Sequence, residues 1–201
     1  MRTQLDHTPL DKHTRDVLCS RIYDLGRQGL ADASLAETLD WVEDSEKLLR
    51  ITPQPPEDHR LYFSPGETCL EAILASLRAA YQTIKICVFT ITDDRIVRAL
   101  YDRRRMGVNL KIITDNDKRF DLGSDVEDLA DDGFAVRVDM TPDHMHHKFA
   151  VLDGRTVLTG SYNWTRGATK NHENLLITNA ADIVSAYDRQ FDRLWDEMRA
   201  L

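Results

Sequence analysis

Between Arg60 and Thr178 short apolar runs recur at intervals that leave room for one helix between them, and this alternation limits the fold more tightly than any other feature of the chain. Leu61-Tyr-Phe63 reads as a short strand, Ser64-Pro-Gly66 as a turn, residues 67–82 as an amphipathic helix, and Ile84 to Ile91 as a buried strand. A second helix is expected from about Asp93 to Arg105, then strands at Leu110–Thr114 and Ala135–Asp139 with a short helix near Val126 to Asp131 between them. Strand, helix, strand punctuation implies an α/β fold with a mixed, mostly parallel central sheet flanked by helices. Two further short strands are expected near His147 to Leu152 and Arg155 to Thr159, joined by the turn dipeptide Asp153-Gly154, and another at Asn174–Thr178. The last helix, about Ala181 to Met198, carries the apolar stripe Ile183, Tyr187, Phe191 and Leu194.

Residues 1–57 read differently. Ser34-Leu-Ala-Glu37 is a capping box, with Leu35, Leu39, Val42 and Leu49 following at helical spacing. An earlier helix through Val17, Leu18, Ile22 and Leu25 would end at Gly26 or Gly29, which makes the segment an N-terminal helical hairpin. Ile51-Thr-Pro-Gln-Pro-Pro-Glu-Asp58 breaks both helix and strand, so the expected division is a helical segment at 1–57 and a catalytic domain at 58–201. The net charge is −8, with an acidic excess in residues 1–57, while Arg103-Arg104-Arg105, Lys111, Lys118-Arg119, Lys148, Arg155, Arg166 and Lys170 all lie later. That balance argues against a protein that coats nucleic acid, which needs a basic surface to displace counterions, but leaves room for a local basic site. Cys19, Cys69 and Cys87 are too scattered for a disulfide framework or a zinc ribbon. A charged N-terminus and the lack of an apolar run long enough to span a bilayer lead to the expectation of a cytoplasmic protein.

The chemistry concentrates near residue 150. In a strand, residues two apart face one side, so His146 and Lys148 present an imidazole and an ammonium together. The imidazole can attack phosphorus near neutral pH, and the ammonium can neutralise charge on the non-bridging oxygens. Beyond Asp153, Gly160-Ser161-Tyr162-Asn163 offers a hydroxyl and an amide, again two apart, for the same oxygens. Glu173, in Asn171-His-Glu173-Asn174, is the candidate for holding the other ring nitrogen of the histidine.

The pattern H-x-K-x4-D-x6-G-S-x-N with its later Glu-Asn resembles the phospholipase D superfamily, and is similar above all to the single-motif branch of Nuc-type endonucleases and Zucchini-type mitochondrial nucleases. The resemblance runs from about Leu61 to the C-terminus through Phe63-Ser-Pro, Val88-Phe-Thr90, Ile113-Thr-Asp115 and Met145-His-His-Lys-Phe-Ala150, and leaves the N-terminal segment uncovered. It implies that His146 is the nucleophile, that Lys148, Ser161 and Asn163 bind phosphate, and that Glu173 orients the imidazole. Asp153 falls on the opposite strand parity from Lys148 and is assigned a supporting structural role. One histidine cannot both attack phosphorus and protonate the leaving oxygen, so a chain with one copy of the motif needs a second His146. A twofold homodimer supplies it, as the resemblance also implies, with no metal and no cofactor.

Tyr162 and Trp164 sit beside the phosphate-binding residues and either stack on a base or pack in the core; Arg166 and Lys170 either guide flanking phosphates or are plain surface charges. His144, His146 and His147 could instead hold a metal, but that reading requires further ligands and leaves the spacing to Lys148 and Asp153 unexplained. The expected activity is cleavage of single-stranded DNA or RNA through a phosphohistidine. Its rivals are hydrolysis of a phospholipid such as cardiolipin, which calls for an apolar rim at the site where this sequence has Arg155, Arg166, Lys170 and the two aromatics as flanking residues, and nucleic-acid binding without turnover. The N-terminal helices are expected to contact the second subunit or another protein.

Overall fold

A computed structural model describes residues 56–117 and 125–201, together with residues 18, 20–24, 34, 37–38, 40–41 and 44–45. The chain divides into two compact units, Met1–Pro56 and Glu57–Leu201. In the first, the described residues 18, 20–24, 37–38, 40–41 and 44–45 have helical backbone. The capping box is formed: the Ser34 N–H donates to Glu37 Oε2 at 2.8 Å and the Glu37 N–H to Ser34 Oγ at 3.3 Å. The rest of the expected hairpin and most of the proline-rich break lie outside the described residues, as does the Lys118-Arg119 pair.

The second unit is a single eight-stranded sheet. Its strands are β1 (His59–Phe63), β2 (Thr83–Val88), β3 (Asn109–Thr114), β4 (Ala135–Val138), β5 (Lys148–Leu152), β6 (Thr156–Gly160), β7 (Asn174–Thr178) and β8 (Arg199–Ala200). The helices are α1 (Thr68–Ala79), α2 (Asp94–Arg105), α3 (Val126–Asp131) and α4 (Ala181–Glu197), with a 3-10 turn at Arg166–Lys170. Across the sheet the order is β1-β7-β6-β5-β2-β3-β4-β8.

The sheet is mixed, as expected, but its parallel part is smaller than the sequence suggests. β2–β3 and β3–β4 run parallel, each pair joined through a helix, whereas β1–β7, β7–β6, β6–β5, β5–β2 and β4–β8 are antiparallel. The reason is connection length. The β5–β6 link is a tight turn at Asp153 and Gly154, both with positive φ, and a link that short can only reverse the chain.

Side chains alternate across the sheet with a period of two. Ile84, Ile86 and Val88 of β2, with Ala150 and Leu152 of β5, pack under Leu70, Ile73 and Leu77 of α1 and Ile96 and Leu100 of α2. Cys87, Phe149, Val151 and Val157 face the other way, onto Val184, Phe191 and Leu194 of α4. The helix therefore buries a stripe through Val184 rather than Ile183, one residue on from the expected start. Lys85 fastens α4 to the sheet, its Nζ lying 2.7 Å from Asp188 Oδ1 and 2.8 Å from Asp192 Oδ1. α2 starts with Asp93, whose buried carboxylate accepts the Arg95 N–H at 3.0 Å and caps the helix.

Candidate active site

Every residue of the chemical motif except Asp153 comes to one edge of the sheet. The register places Lys148 opposite Val88, the last residue of β2; Gly160, the last of β6, opposite Leu175; and Asn174, the first of β7, opposite Phe63, the last of β1. This is the edge beyond the carboxyl ends of the parallel strands, where α/β sheets gather ligand-binding loops.

His146 is exposed and Lys148 half-buried, on the approach to β5 and its first position. Lys148 Nζ lies 2.9 Å from His146 Nδ1 and donates to the His146 carbonyl at 2.8 Å. Both rest on Phe89: the His146 ring centroid is 4.5 Å from the Phe89 centroid, and Lys148 Nζ is 5.4 Å from it. Burial, then Lys148, then His144 lower the pKa of His146 below the usual histidine value, with Asp115 acting in the opposite sense. These influences favour the neutral ring, the form in which a nitrogen can attack. Burial also lowers the Lys148 pKa, against the carboxylate of Glu173.

Ser161 is held by β7. Its N–H donates to the Asn174 carbonyl at 3.1 Å, and its Oγ accepts the Asn174 N–H at 3.1 Å. With the hydroxyl oxygen engaged as acceptor, its hydrogen is left to point at an incoming anion. Gly160 makes this approach sterically possible, since a Cβ there would collide with the Asn174 backbone carbonyl. Asn163 is half-buried on the same loop. Glu173 exchanges bonds with Ser64, the residue just past β1: its N–H donates to Ser64 Oγ and its carbonyl accepts the Ser64 N–H, both at 3.1 Å. No hydrogen bond joins Glu173 to His146 among the described residues; the Glu173 carboxylate instead accepts from Asn171 Nδ2 at 3.4 Å and acts electrostatically on Lys148.

Asp153 sits at the far end of β5, about 17 Å from Lys148 at the rise of an extended strand. Its carboxylate accepts the N–H groups of Tyr81 at 3.1 Å, Gln82 at 2.8 Å and Thr83 at 2.8 Å, and so ties the β5–β6 turn to the start of β2.

The structure locates the neighbours whose roles the sequence leaves open. Tyr162 and Trp164 are each 1% exposed and belong to the core, so neither offers a face to a base. The chain turns inward after Ser161 and is bridged at Trp164 to Ile91, which carries both rings under the loop. Arg155 stands beside Asp153 at the opposite edge of the sheet. Arg166 is ion-paired with Asp94, while Lys170 closes the 3-10 turn. Phe63 and Met140 are 63% and 62% exposed, Phe63 ending β1 at the site edge and Met140 following Asp139 there.

The sequence reading missed Asp115 and Phe89 as parts of the site, although both lie in segments it singled out. Each directly follows an apolar strand, Phe89 after β2 and Asp115 after β3. Among the described residues, Asp115, Asp117 and His144 form the group whose ligand atoms lie close enough to hold a metal ion, within 4.8 Å of one another. That group excludes His146, and its buried member, Asp115, already accepts the Asp117 and Met145 N–H groups.

Comparison with known proteins bears on the same unit. The family model described as cardiolipin synthase, PLD-like domain, matches residues 73–195. A Chlamydomonas reinhardtii protein named mitochondrial cardiolipin hydrolase is 44% identical over 135 residues, 67% of this chain and 60% of its own length. The human protein of that name is 37% identical over 133 residues, 66% of this chain and 53% of its own. The chain thus spans 60% of the first of these relatives and 53% of the second. Among solved structures, the phospholipase D family member Nuc from Salmonella typhimurium aligns with a TM-score of 0.67 and 25% identity over 72% of this chain and 98% of that one. NucT from Helicobacter pylori shares the fold, with a TM-score of 0.65 and 21% identity over 72% of this chain and 99% of its own.

These names correct the cytoplasmic expectation: the relatives from Chlamydomonas reinhardtii, Xenopus laevis and human are all named mitochondrial. The expectation rested on a charged N-terminus and on the lack of a bilayer-spanning apolar run, neither of which reports a compartment. Among the described residues no helix is long and apolar enough to cross a membrane.

Proposed function

Since the chain belongs to the phospholipase D-like family, we propose that it is a metal-independent phosphodiesterase whose nucleophile is His146 and whose catalytic domain is residues 58–201. The observation that carries this reading is the pairing of the His146 ring with the Lys148 ammonium, 2.9 Å apart, at an open edge of the sheet. The neutral imidazole attacks phosphorus; Lys148, the Ser161 hydroxyl and the Asn163 amide neutralise the non-bridging oxygens. The phosphorus–oxygen bond to the leaving group breaks as the phosphohistidine forms. A second His146, from the other subunit of a twofold homodimer, donates the proton to that oxygen and then takes one from the attacking water. Glu173 steadies the imidazolium once the second protomer completes the site.

The substrate is read as single-stranded DNA or RNA, cut to leave a 5′-phosphate. Support comes from the resemblance to Nuc-type endonucleases and from the match over 98% of the Nuc chain. A second reading, a phospholipid such as cardiolipin, is favoured by exposed Phe63 and Met140 at the site edge and by the name of the curated relatives. The burial of Tyr162 and Trp164 and the position of Arg155 remove three of the neighbours that set the first reading above the second.

The test is to incubate the full chain with labelled single-stranded DNA, single-stranded RNA, duplexes and cardiolipin vesicles, with and without a chelator. Cleavage of single strands that persists in chelator is expected. Release of phosphatidic acid with no strand cleavage would install the lipid reading, and loss of all activity in chelator would remove the metal-independent mechanism.

A further inference from the structure

His146 sits at the end of a stretch, residues 139–147, that no helix or strand holds. What aims it is therefore a matter of side-chain anchors, and the deepest of these is Asp115, which directly follows β3 and is 0% exposed. Its Oδ2 accepts the Met145 N–H at 3.0 Å and lies 3.0 Å from His144 Nδ1, while its Oδ1 accepts the Asp117 N–H at 3.0 Å. A carboxylate is costly to bury unless it is paired, and two of these partners are the residues immediately before the nucleophile. Asp139 ties down the other end of the stretch, its carboxylate accepting the Asn116 N–H at 2.8 Å and the Thr141 hydroxyl at 3.2 Å.

Phe89 links this anchor to the reacting groups. Its ring lies edge-on to His144, 5.4 Å between centroids, and against His146 at 4.5 Å, while its backbone N–H donates to the His147 carbonyl at 3.0 Å. Fixing His144 on Asp115 thus fixes one member of a cluster of three rings whose last member is His146. The groups that face the His146 ring are the Lys148 ammonium and the Phe89 ring, with His144 and the Asp115 carboxylate acting from behind.

Resting on the reading of His146 as nucleophile, we propose that Asp115 is a positioning residue that aims His146 through the Met145 amide and the His144 ring, with Phe89 as the seat between them. It touches no reacting atom. Its role is to set the direction and the electrostatic surroundings of the imidazole, and a misplacement of about 1 Å in such a group can cost about 10²-fold in rate.

Two variants of the full chain test this, assayed on bis(p-nitrophenyl) phosphate and by NMR titration of the His146 ring. Asp115→Asn keeps the shape and an acceptor oxygen but loses the charge; kcat is expected to fall by about 10- to 100-fold while KM stays within about twofold. The titration midpoint of His146 should move to lower pH, because a carboxylate that favours the imidazolium has been removed. The acid limb of kcat/KM should move the same way, since the neutral ring is the active form. His144→Phe keeps a ring on Phe89 but loses the bond to Asp115; kcat should fall less, and the His146 midpoint should rise. A merely structural Asp115 would lower the melting temperature and leave kcat per folded molecule and the His146 midpoint unchanged, which would overturn the proposal. If Asp115→Asn does not fold, His144→Phe decides: unchanged kcat and midpoint reject the role. Should the native protein cleave no phosphodiester at all, the functional reading falls while the titrations still decide this one.

Discussion

The two ends of β5 carry residues of one sequence motif and could hardly be more different. At its start, His146 is exposed to solvent and its side-chain polar neighbour is the Lys148 ammonium. At its end, Asp153 accepts three backbone N–H groups and has no charge partner among the described residues. An unsaturated cation beside a neutral imidazole is what an anionic substrate needs, whereas a carboxylate saturated by backbone donors has no capacity left for chemistry. Spacing along a chain therefore does not mean proximity in a site: a motif can mark both a catalytic group and the joint that fixes the strand bearing it.

The largest expected effect lies at the first end. His146→Ala should lower turnover by about 10⁴-fold or more, with the melting temperature and dimerisation unchanged; steady-state rates and a thermal melt on the same sample check it. Next comes Lys148→Ala, which removes stabilisation of charge on the non-bridging oxygens and should cost about 10²- to 10³-fold in kcat, again without loss of stability.

Asp153→Ala inverts the pattern. It strands the Tyr81, Gln82 and Thr83 N–H groups, and should cost about 1–3 kcal/mol of stability by denaturant titration while kcat per folded molecule changes only a few-fold. A large kcat loss in a fully stable Asp153→Ala protein would erase the distinction between the two ends. The smallest effect is assigned to Tyr162, whose buried hydroxyl has no hydrogen-bond partner among the described residues. Tyr162→Phe should leave cleavage untouched and stabilise the fold by about 1 kcal/mol; weakened oligonucleotide binding in that variant would return Tyr162 to the substrate surface.

The same contrast explains what was legible in the sequence. Short apolar runs marked the strands, because a strand buried on both faces has little freedom in its side-chain types, and the Pro-rich and Asp-Gly punctuation marked the breaks. His146, Lys148, Ser161 and Asn163 could be grouped because each pair is two residues apart on a strand or its extension. Tyr162 and Trp164 could not be placed, since a loop has no period from which to tell inside from outside. Arg155 was misjudged because closeness in sequence to the motif was taken as closeness to the site, although the five-residue strand β5 separates the two edges. The parallel part of the sheet was overestimated because helices between strands count crossovers, whereas the antiparallel pairs here come from short turns and from β1 returning beside β7. Asp115 was quoted as part of a strand end without a role, because its partners, His144 and Met145, come from residues about thirty positions later.

In the proposed reaction His146 forms the covalent intermediate. The direct measurement is rapid acid-free quenching of the native protein with a labelled phosphodiester, followed by mass spectrometry of its peptides. A phosphoramidate on His146 is expected, labile in acid and stable in base, that forms and decays at rates compatible with turnover and is absent from His146→Ala. Label on Ser161, or full turnover in His146→Ala, would contradict it.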